Sequence, residues 1–327
     1  MKPSKKLRGA PLITPYIHDT SIYAMPYLIL AGPTASGKSA LALELAKAHN
    51  AVIINADSMQ WYQDLPTLTA QPTVAEKAIV PHYLYSTLDN NAEGSVARWQ
   101  RMALDAVKEA GERLVIVVGG SGLYLHSLTH GMSPVIDIPS TIRNEVRELS
   151  TNMPMNEFYA RVLAEDPELA GNPPVDRQRL ARALEVKRAT GKSIRTHQGK
   201  AEPPLPAPLA YIVLVPNRAE LCERINQRVL RMLEENVLDE IRTFWAKNPP
   251  ISCLLRKAIG LAPLTAYLND ELTRTEAIEL MQIQTRQYAK RQATWFKGQS
   301  PDYAWINPTF DEVSVRIEEF SRLYRNC

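Results

Sequence analysis

Tyr27-Leu28-Ile29-Leu30-Ala31-Gly32-Pro33-Thr34-Ala35-Ser36-Gly37-Lys38-Ser39 opens as an apolar run and closes in the spacing G-x-x-x-x-G-K-S. A phosphate-binding loop needs that order of strand, glycine-rich turn and helix. Gly32 and Gly37 let the backbone curl so that successive N–H groups point inward, and the following helix adds the positive end of its dipole. Lys38 offers a point charge to the outer phosphate oxygens, and the Ser39 hydroxyl is placed to ligate Mg²⁺. Ala40, Leu41, Leu43, Leu45 and Ala46 continue as strong helix formers. Gly32, Pro33, Thr34, Ala35, Ser36, Gly37, Lys38 and Ser39 are therefore the candidate diphosphate contacts, with Ser39 the candidate metal ligand. The loop does not say what carries the phosphates, so an ATP enzyme and an enzyme of another diphosphate both stay open.

Composition sets bounds around this loop. The 327 residues are 45% hydrophobic with a net charge of +3, so any nucleic-acid partner must be met by local patches. No run approaches the roughly 18 apolar residues of a membrane span. Cys222, Cys253 and Cys327 are odd in number and far apart, which fits neither a disulfide framework nor a zinc site and points to a reducing cytoplasm. His126 and His130 lie four apart without a further ligand-rich segment, and His82 reads as structural. Residues 1–24 carry Lys2, Lys5, Lys6 and Arg8 with Pro3, Pro11 and Pro15 interrupting any amphipathic helix, so a flexible extension is expected rather than a transit peptide.

Three further apolar runs read as strands buried on both faces: 51–56, 113–118 and 210–215. The first ends at Asp57-Ser58 and the second at Gly119-Gly120-Ser121-Gly122, so both strand ends are expected beside the phosphate loop, where α/β folds place ligands. Asp57 also has the bland reading of a helix N-cap. Residues 67–73, with Pro66 just before and Pro72 within, read as a loop near the site, and 95–110 as an amphipathic helix with Val96, Trp99, Ala103 and Val107 on one face.

From about Gly131 the character changes to polar helix, running to about Gln198 before a proline-rich return at 203–208. The expected organisation is a phosphate-loop NTPase-like α/β core, a parallel sheet flanked by helices at 25–131 and 209–327, with an all-helical insertion at 132–208. Within the insertion, residues 177–195 hold seven cations against the single acid Glu185, an imbalance that favours a polyanion. After Arg218 an amphipathic helix places Leu221, Ile225, Val229, Met232, Leu233 and Ile241 inward, and Arg224, Arg228 and Arg231 form a stripe. The segment Thr285-Arg286-Gln287-Tyr288-Ala289-Lys290-Arg291-Gln292-Ala293-Thr294-Trp295-Phe296-Lys297 interleaves cations with aromatics, a pattern suited to RNA, although Trp295 and Phe296 read better as core.

Taken in order, residues 26–300 resemble the tRNA dimethylallyltransferase, or isopentenyl-tRNA transferase, family. The resemblance rests on the phosphate loop, Asp57-Ser58-Met59-Gln60 with Tyr62, Thr69-Ala70-Gln71-Pro72-Thr73, Pro81-His82 and Gly119-Gly120-Ser121-Gly122-Leu123-Tyr124. It continues through Asp176-Arg177-Gln178-Arg179-Leu180-Ala181-Arg182 with Thr190-Gly191-Lys192, Ala258-Ile259-Gly260 and the 285–295 block. It implies that the loop and Mg²⁺ hold dimethylallyl diphosphate, that the exocyclic amine of an adenosine beside the anticodon attacks the allylic carbon, and that Asp57 accepts its proton. It assigns catalytic roles to Asp57, Ser121 and Arg224. For the tRNA anticodon stem-loop it implies contacts from Asp57, Ser58, Met59, Gln60, Ser121, Arg143, Gln178, Arg179, Arg182, Arg256, Lys257, Arg286, Lys290 and Arg291. A monomeric cytoplasmic enzyme without membrane contact is the expectation.

Departures from the family pattern fall at Gln63-Asp64, Thr67-Leu68, Gln71 and Leu261, and Ser121 stands where most relatives have Thr. They remove cations and donors near the expected tRNA path but spare the diphosphate residues and Asp57. The competing readings are a small-molecule phosphate-loop kinase with Asp57 as base or metal ligand, a non-catalytic RNA-binding protein, and transfer to free AMP.

Overall fold

The apolar runs become the inner strands of a parallel sheet in a computed structural model that describes residues 27–133, 136–197, 202–205, 208–302 and 304–324. The expected N-terminal extension, Pro134, Gln198, Pro206-Ala207 of the proline run and Cys327 lie outside the described residues. The contacts divide the chain into two compact units: one formed by the chain up to Thr129 and from Pro204 onward, the other by His130–Pro203.

The first unit begins with β1 (Tyr27–Ala31), α1 (Lys38–Ala48), β2 (Val52–Asn55), α2 (Val74–Ile79), β3 (His82–Tyr83), α3 (Val96–Glu109), β4 (Val115–Gly119) and α4 (Gly122–His130). The second unit contributes α5 (Ser140–Asn152), α6 (Met155–Glu165) and α7 (Arg177–Thr190), with short 3₁₀ turns at Pro167–Leu169 and Ile194–His197. The chain then returns to the first unit as β5 (Ala210–Val213), α8 (Arg218–Glu234), α9 (Val237–Ala246), α10 (Leu261–Leu268), α11 (Arg274–Gln299), β6 (Trp305–Ile306) and α12 (Phe310–Tyr324).

All six strands are parallel, in the order β3-β2-β4-β1-β5-β6. The continuous apolar runs have a physical cause: alternate side chains of each inner strand are buried on opposite faces. Ile29, Val52, Ile54, Val115 and Val117 pack with Trp99 and Ala103 of α3, whereas Leu28, Leu30, Ile53, Ile116 and Ile212 pack with Leu45 of α1 and Val313 and Ile317 of α12. The edge strands β3 and β6 have two residues each and show no periodicity that a sequence reading detects. The helix expected to run from Arg218 through Ile241 is two helices. Glu235 is extended (φ −85°, ψ −160°), which ends α8, and Ile241 is buried from α9.

Register brings the site together. Ala31 pairs with Gly119, and Val118 pairs with Asn55, so the phosphate loop, the Gly119–Gly122 turn and the Asp57 turn leave the sheet at one level from three adjacent strands. The second unit has its own core of Val146, Phe158, Val162, Leu169, Leu180, Ala183 and Leu184.

Candidate active site

The phosphate loop departs from β1 with three residues in left-handed backbone: Gly32 (φ 152°), Ala35 (φ 62°) and Gly37 (φ 95°). A Cβ on Gly32 would lie 2.5 Å from the Leu214 carbonyl oxygen, so glycine is required there for approach as well as for conformation. Gly37 precedes α1 without a side-chain cap, which leaves the helix amides open to an anion. The Ser36 hydroxyl is buried and, among the described residues, makes no hydrogen bond. Lys38 Nζ donates to the Pro33 carbonyl at 3.2 Å. Burial lowers its pKa from 10.5 to about 8, Asp57 opposes that shift, and Arg228 adds to it.

The Asp57 turn is held from both sides. Asn55 is fully buried; its Oδ1 accepts from the Asp57 N–H at 2.8 Å, and its Nδ2 donates to the Asp57 and Leu84 carbonyls. Asp57 Oδ1 accepts from the Met59 N–H at 2.9 Å, and among the described residues no hydrogen bond engages Oδ2. The turn after β4 supports the same segment: Ser121 N–H donates to the Ala56 carbonyl, and Ser121 Oγ accepts from the Ser58 N–H at 3.1 Å. Ser121 thus braces the Asp57 turn and is not among the residues lining the adjoining cavity.

That cavity measures about 610 Å³ and is lined by the phosphate loop, Asp57, Met59 and Gln60, and by side chains from α8, α10's approach and α11. Its charged lining is Lys38, Arg228, Arg231, Lys257 and Arg291 against Asp57 and Glu76. Five cations facing two carboxylates make a site for a multiply charged anion. Burial raises the phenols of Tyr85 and Tyr288, both in the cavity wall, so they remain neutral donors. His82 Nδ1 lies 2.8 Å from the Val80 carbonyl, and burial lowers its pKa, in keeping with a structural role.

The arginine stripe divides. Arg228 Nη1 reaches Thr34 Oγ1 at 3.4 Å, and burial lowers its pKa. Arg224 is exposed, pairs with Glu220, donates to the Ser36 carbonyl at 3.2 Å, and does not line the cavity. Both arginines thus touch the phosphate loop, Arg228 from within the cavity lining and Arg224, to which the resemblance assigns the leaving-group role, from outside it. Spacing alone offered both.

The 65–71 loop forms one cavity wall with two non-glycine residues in left-handed backbone, Leu65 (φ 57°) and Ala70 (φ 55°). Such residues persist only when their surroundings hold them. Glu240 of α9 accepts from the Thr67 N–H at 2.9 Å, and Gln60 Nε2 donates to the Thr69 and Ala70 carbonyls at 2.9 and 2.8 Å. Gln71 is buried, donates to the Tyr62 carbonyl at 2.8 Å and accepts from Ser86 Oγ. Its amide is thus spent on the loop. Asp64 pairs with Lys247 at 2.6 Å and accepts from Asn90, and Leu261 is core.

Among the remaining cations, Arg286 donates to Asn226 Oδ1 at 2.7 Å, Arg256 donates to the Pro249 carbonyl and stacks over Trp245, and Lys290 is exposed. Phe296 is core, and Trp295 packs against Gly122, where a Cβ would lie 2.2 Å from its ring.

In the helical unit the seven-to-one imbalance is local. Arg177 donates to the Ser150 and Met153 carbonyls, Arg195 to those of Glu168, Leu169 and Asn172, and Arg188 pairs with Glu165 at 2.8 Å. Arg182 pairs with Glu185 at 3.2 Å and donates to the Ile136 carbonyl; Arg143 donates to Ile138 at 3.4 Å. Residues 130–203 as a whole carry eleven Lys and Arg against ten Asp and Glu. Within the charge run only Arg188 pairs with acids on neighbouring helices, Glu145 and Glu165; Arg179 and Arg182 pair with acids of their own segment, and Arg177 and Arg195 are held by backbone carbonyls that leave their charge in place. Gln178 and Arg179 are exposed, and Arg179 pairs with the partly exposed Asp176 at 3.3 Å.

The Arg188–Glu165 pair yields a stability prediction. The Arg188 guanidinium holds the Glu165 carboxyl down from 4.5 to about 2. A depressed carboxyl stabilises the fold fully above its unfolded pKa, and that contribution, about 2 kcal/mol after discounting for partial exposure, is lost as pH falls from about 4.5 to 2. Arg188→Ala should flatten this acid limb in a circular-dichroism titration; an unchanged limb would contradict the assignment.

Fold and cavity define a phosphate-loop α/β protein with an inserted helical unit, in which the loop and five cations share a cavity with Asp57 and Glu76. Residues 60–299 match the IPP transferase family, and the chain belongs to it. It is 44% identical over 301 residues to a tRNA dimethylallyltransferase of Azorhizobium caulinodans, covering 90% of this chain and 96% of that one. It is 43% identical over 281 residues to the tRNA dimethylallyltransferase of Rhizobium johnstonii, covering 84% and 94%. Among solved structures it is similar to the tRNA isopentenylpyrophosphate transferase of Bacillus halodurans (TM-score 0.62, 29% identity, 91% and 96% covered). It is also similar to a eukaryotic dimethylallyltransferase captured acting on tRNA (TM-score 0.66, 28% identity, 83% and 69% covered).

Proposed function

We propose that this chain is a transferase that moves a dimethylallyl group from dimethylallyl diphosphate to the exocyclic N6 amine of the adenosine on the 3′ side of the anticodon in tRNA. The observation that carries this reading is the cavity itself: a phosphate loop and five cations line it together with Asp57, whose Oδ2 has no hydrogen-bond partner among the described residues. The N6 nitrogen attacks the allylic carbon, the carbon–oxygen bond breaks, and the electron pair leaves with diphosphate. Asp57 takes the proton that the amine loses. Lys38 and Arg228 neutralise the departing charge, and the buried Ser36 hydroxyl, which has no partner among the described residues, is a further donor for it. The amine is a weak nucleophile, so alignment supplies much of the acceleration.

The donor set suits Mg²⁺ bound mainly through the substrate. Ser39 presents an exposed hydroxyl, and among the described residues no group of three or more His, Cys, Asp or Glu is placed to hold a metal. Mg²⁺ commonly uses one or two protein oxygens with substrate phosphates and waters. Ser39 would hold it, and it would neutralise the diphosphate.

Gln178 and Arg179 of the insertion, with Lys257, Lys290 and Arg291 of the first unit, are the groups we assign to the RNA backbone. No helix among the described residues is long and apolar enough to cross a membrane. Arg179→Ala should weaken tRNA binding a few-fold and lower the dependence on salt. Arg182→Ala should instead lower the melting temperature, because it unties Glu185 and Ile136. Filter binding across a salt series, beside thermal melts, checks the pair; equal effects of both on affinity alone would contradict it.

The assay that decides the function is incubation with radiolabelled dimethylallyl diphosphate and total tRNA. Label enters RNA under this reading. Label staying out of RNA while ATP is consumed would favour a kinase, a reading that none of these relatives supports.

A further inference from the structure

The side chain of Gln292, on α11, is buried between the two glycine-rich turns of the site. Its Oε1 accepts from the Thr34 N–H at 2.8 Å, and its Nε2 donates to the Gly120 carbonyl at 2.9 Å. The fit is tight: a Cβ on Gly120 would lie 2.1 Å from Nε2 and 3.2 Å from the Gly32 carbonyl oxygen. One amide therefore joins the phosphate loop to the turn after β4. That turn in turn braces the base, since Ser121 Oγ accepts from the Ser58 N–H beside Asp57.

We infer that Gln292 is a positioning residue that sets the separation between the diphosphate cradle and Asp57. The inference rests on the reading of the loop as the holder of the donor's diphosphate. Three observations carry it. The loop contains a left-handed alanine, Ala35, which needs an external hold, and Thr34 is its neighbour. Gln292 touches neither the cavity nor, by its burial, the solvent, so both of its hydrogen bonds serve backbone groups. Its neighbour Arg291 and Tyr288, one turn earlier, do line the cavity, so the helix that meets the second substrate also holds the loop that meets the first.

In-line displacement is sensitive to such separations, because misplacing reacting atoms by about 1 Å costs on the order of 10²-fold in rate. A protonated Glu at this position reproduces both hydrogen bonds, with a carbonyl for Thr34 and an O–H for Gly120. An ionised one faces the Gly120 carbonyl with a charge, and burial raises its pKa.

The test compares wild type, Gln292→Met and Gln292→Glu in single-turnover prenyl transfer, in binding of inorganic diphosphate with Mg²⁺, in tRNA binding and in thermal melts. Gln292→Met is expected to bind tRNA as wild type does and to transfer the prenyl group about 10²-fold more slowly. Gln292→Glu, expressed as a ratio to wild type at each pH, should recover to within a few-fold at pH 6 and fall away by pH 8.5. Transfer by Gln292→Met at the wild-type rate, or a Gln292→Glu deficit independent of pH, overturns the inference. If Gln292→Met fails to fold, the pH dependence of Gln292→Glu decides alone. Failure of the wild-type protein to bind inorganic diphosphate would remove the donor-site reading itself, a separate result.

Discussion

Asp57→Ala should slow prenyl transfer by at least about 10³-fold while leaving tRNA affinity within a few-fold of wild type. Three features of the site lead to this expectation. The carboxylate stands at a strand end where Asn55, Met59 and the Ser121 turn fix its backbone. Among the described residues its Oδ2 has no hydrogen-bond partner to lose, and the only other acid in the cavity wall is Glu76. Asp57→Asn separates chemistry from architecture: it preserves the hydrogen bond from Met59 but cannot take a proton. Both variants should therefore fail in single-turnover transfer and melt like wild type. Retained transfer by Asp57→Asn would show that the proton leaves by another route, and loss of tRNA binding in both would make Asp57 a structural residue.

Lys38→Met should weaken diphosphate binding by roughly 10²-fold, the scale of a lost charge-assisted hydrogen bond, and should at the same time raise the melting temperature. Burial of the ammonium brings its pKa from 10.5 to about 8, an unfavourable term of about 1–2 kcal/mol once its partial exposure is discounted. A lysine with a depressed pKa lowers stability fully below about pH 8, and that cost fades between 8 and 10.5 as the folded state releases the proton first. Ligand linkage runs the other way. A bound diphosphate restores the charged form, so affinity should fall as pH rises past 8, and Lys38→Met should lose that slope. Titration calorimetry of inorganic diphosphate at pH 7 and pH 9 reads both effects. A pH-independent affinity in wild type would show that Lys38 does not meet the phosphates.

Much of the site was legible because its parts are local. The strand, glycine turn and helix around Gly32–Ser39 occupy consecutive residues, and the conformations of Gly32 and Gly37 follow from that order. The inner strands announced themselves as runs without polar alternation, since both faces of the sheet are covered. Where residues act across the chain, the reading was weaker. Within Arg177–Arg195, the acids that pair with Arg188, Glu145 and Glu165, lie on other helices, and Arg177 and Arg195 are held by distant backbone carbonyls. Gln71 looked like a lost cation, whereas its amide closes a loop between Tyr62 and Ser86. Glu240, which clamps the 65–71 loop, carries no motif at all.

The sequence by itself determined the parallel α/β core, the phosphate loop and the alignment of Asp57 and Ser121 with it, because each is set by the backbone preferences and burial of a short contiguous run. Only the tertiary structure decided which arginines of the α8 stripe face the cavity, how the insertion's cations are paired, and that Gln292 joins two turns 258 and 172 residues away. Those outcomes depend on how a helix is rotated and what packs against it. That is a property of the assembled core, and no local pattern encodes it.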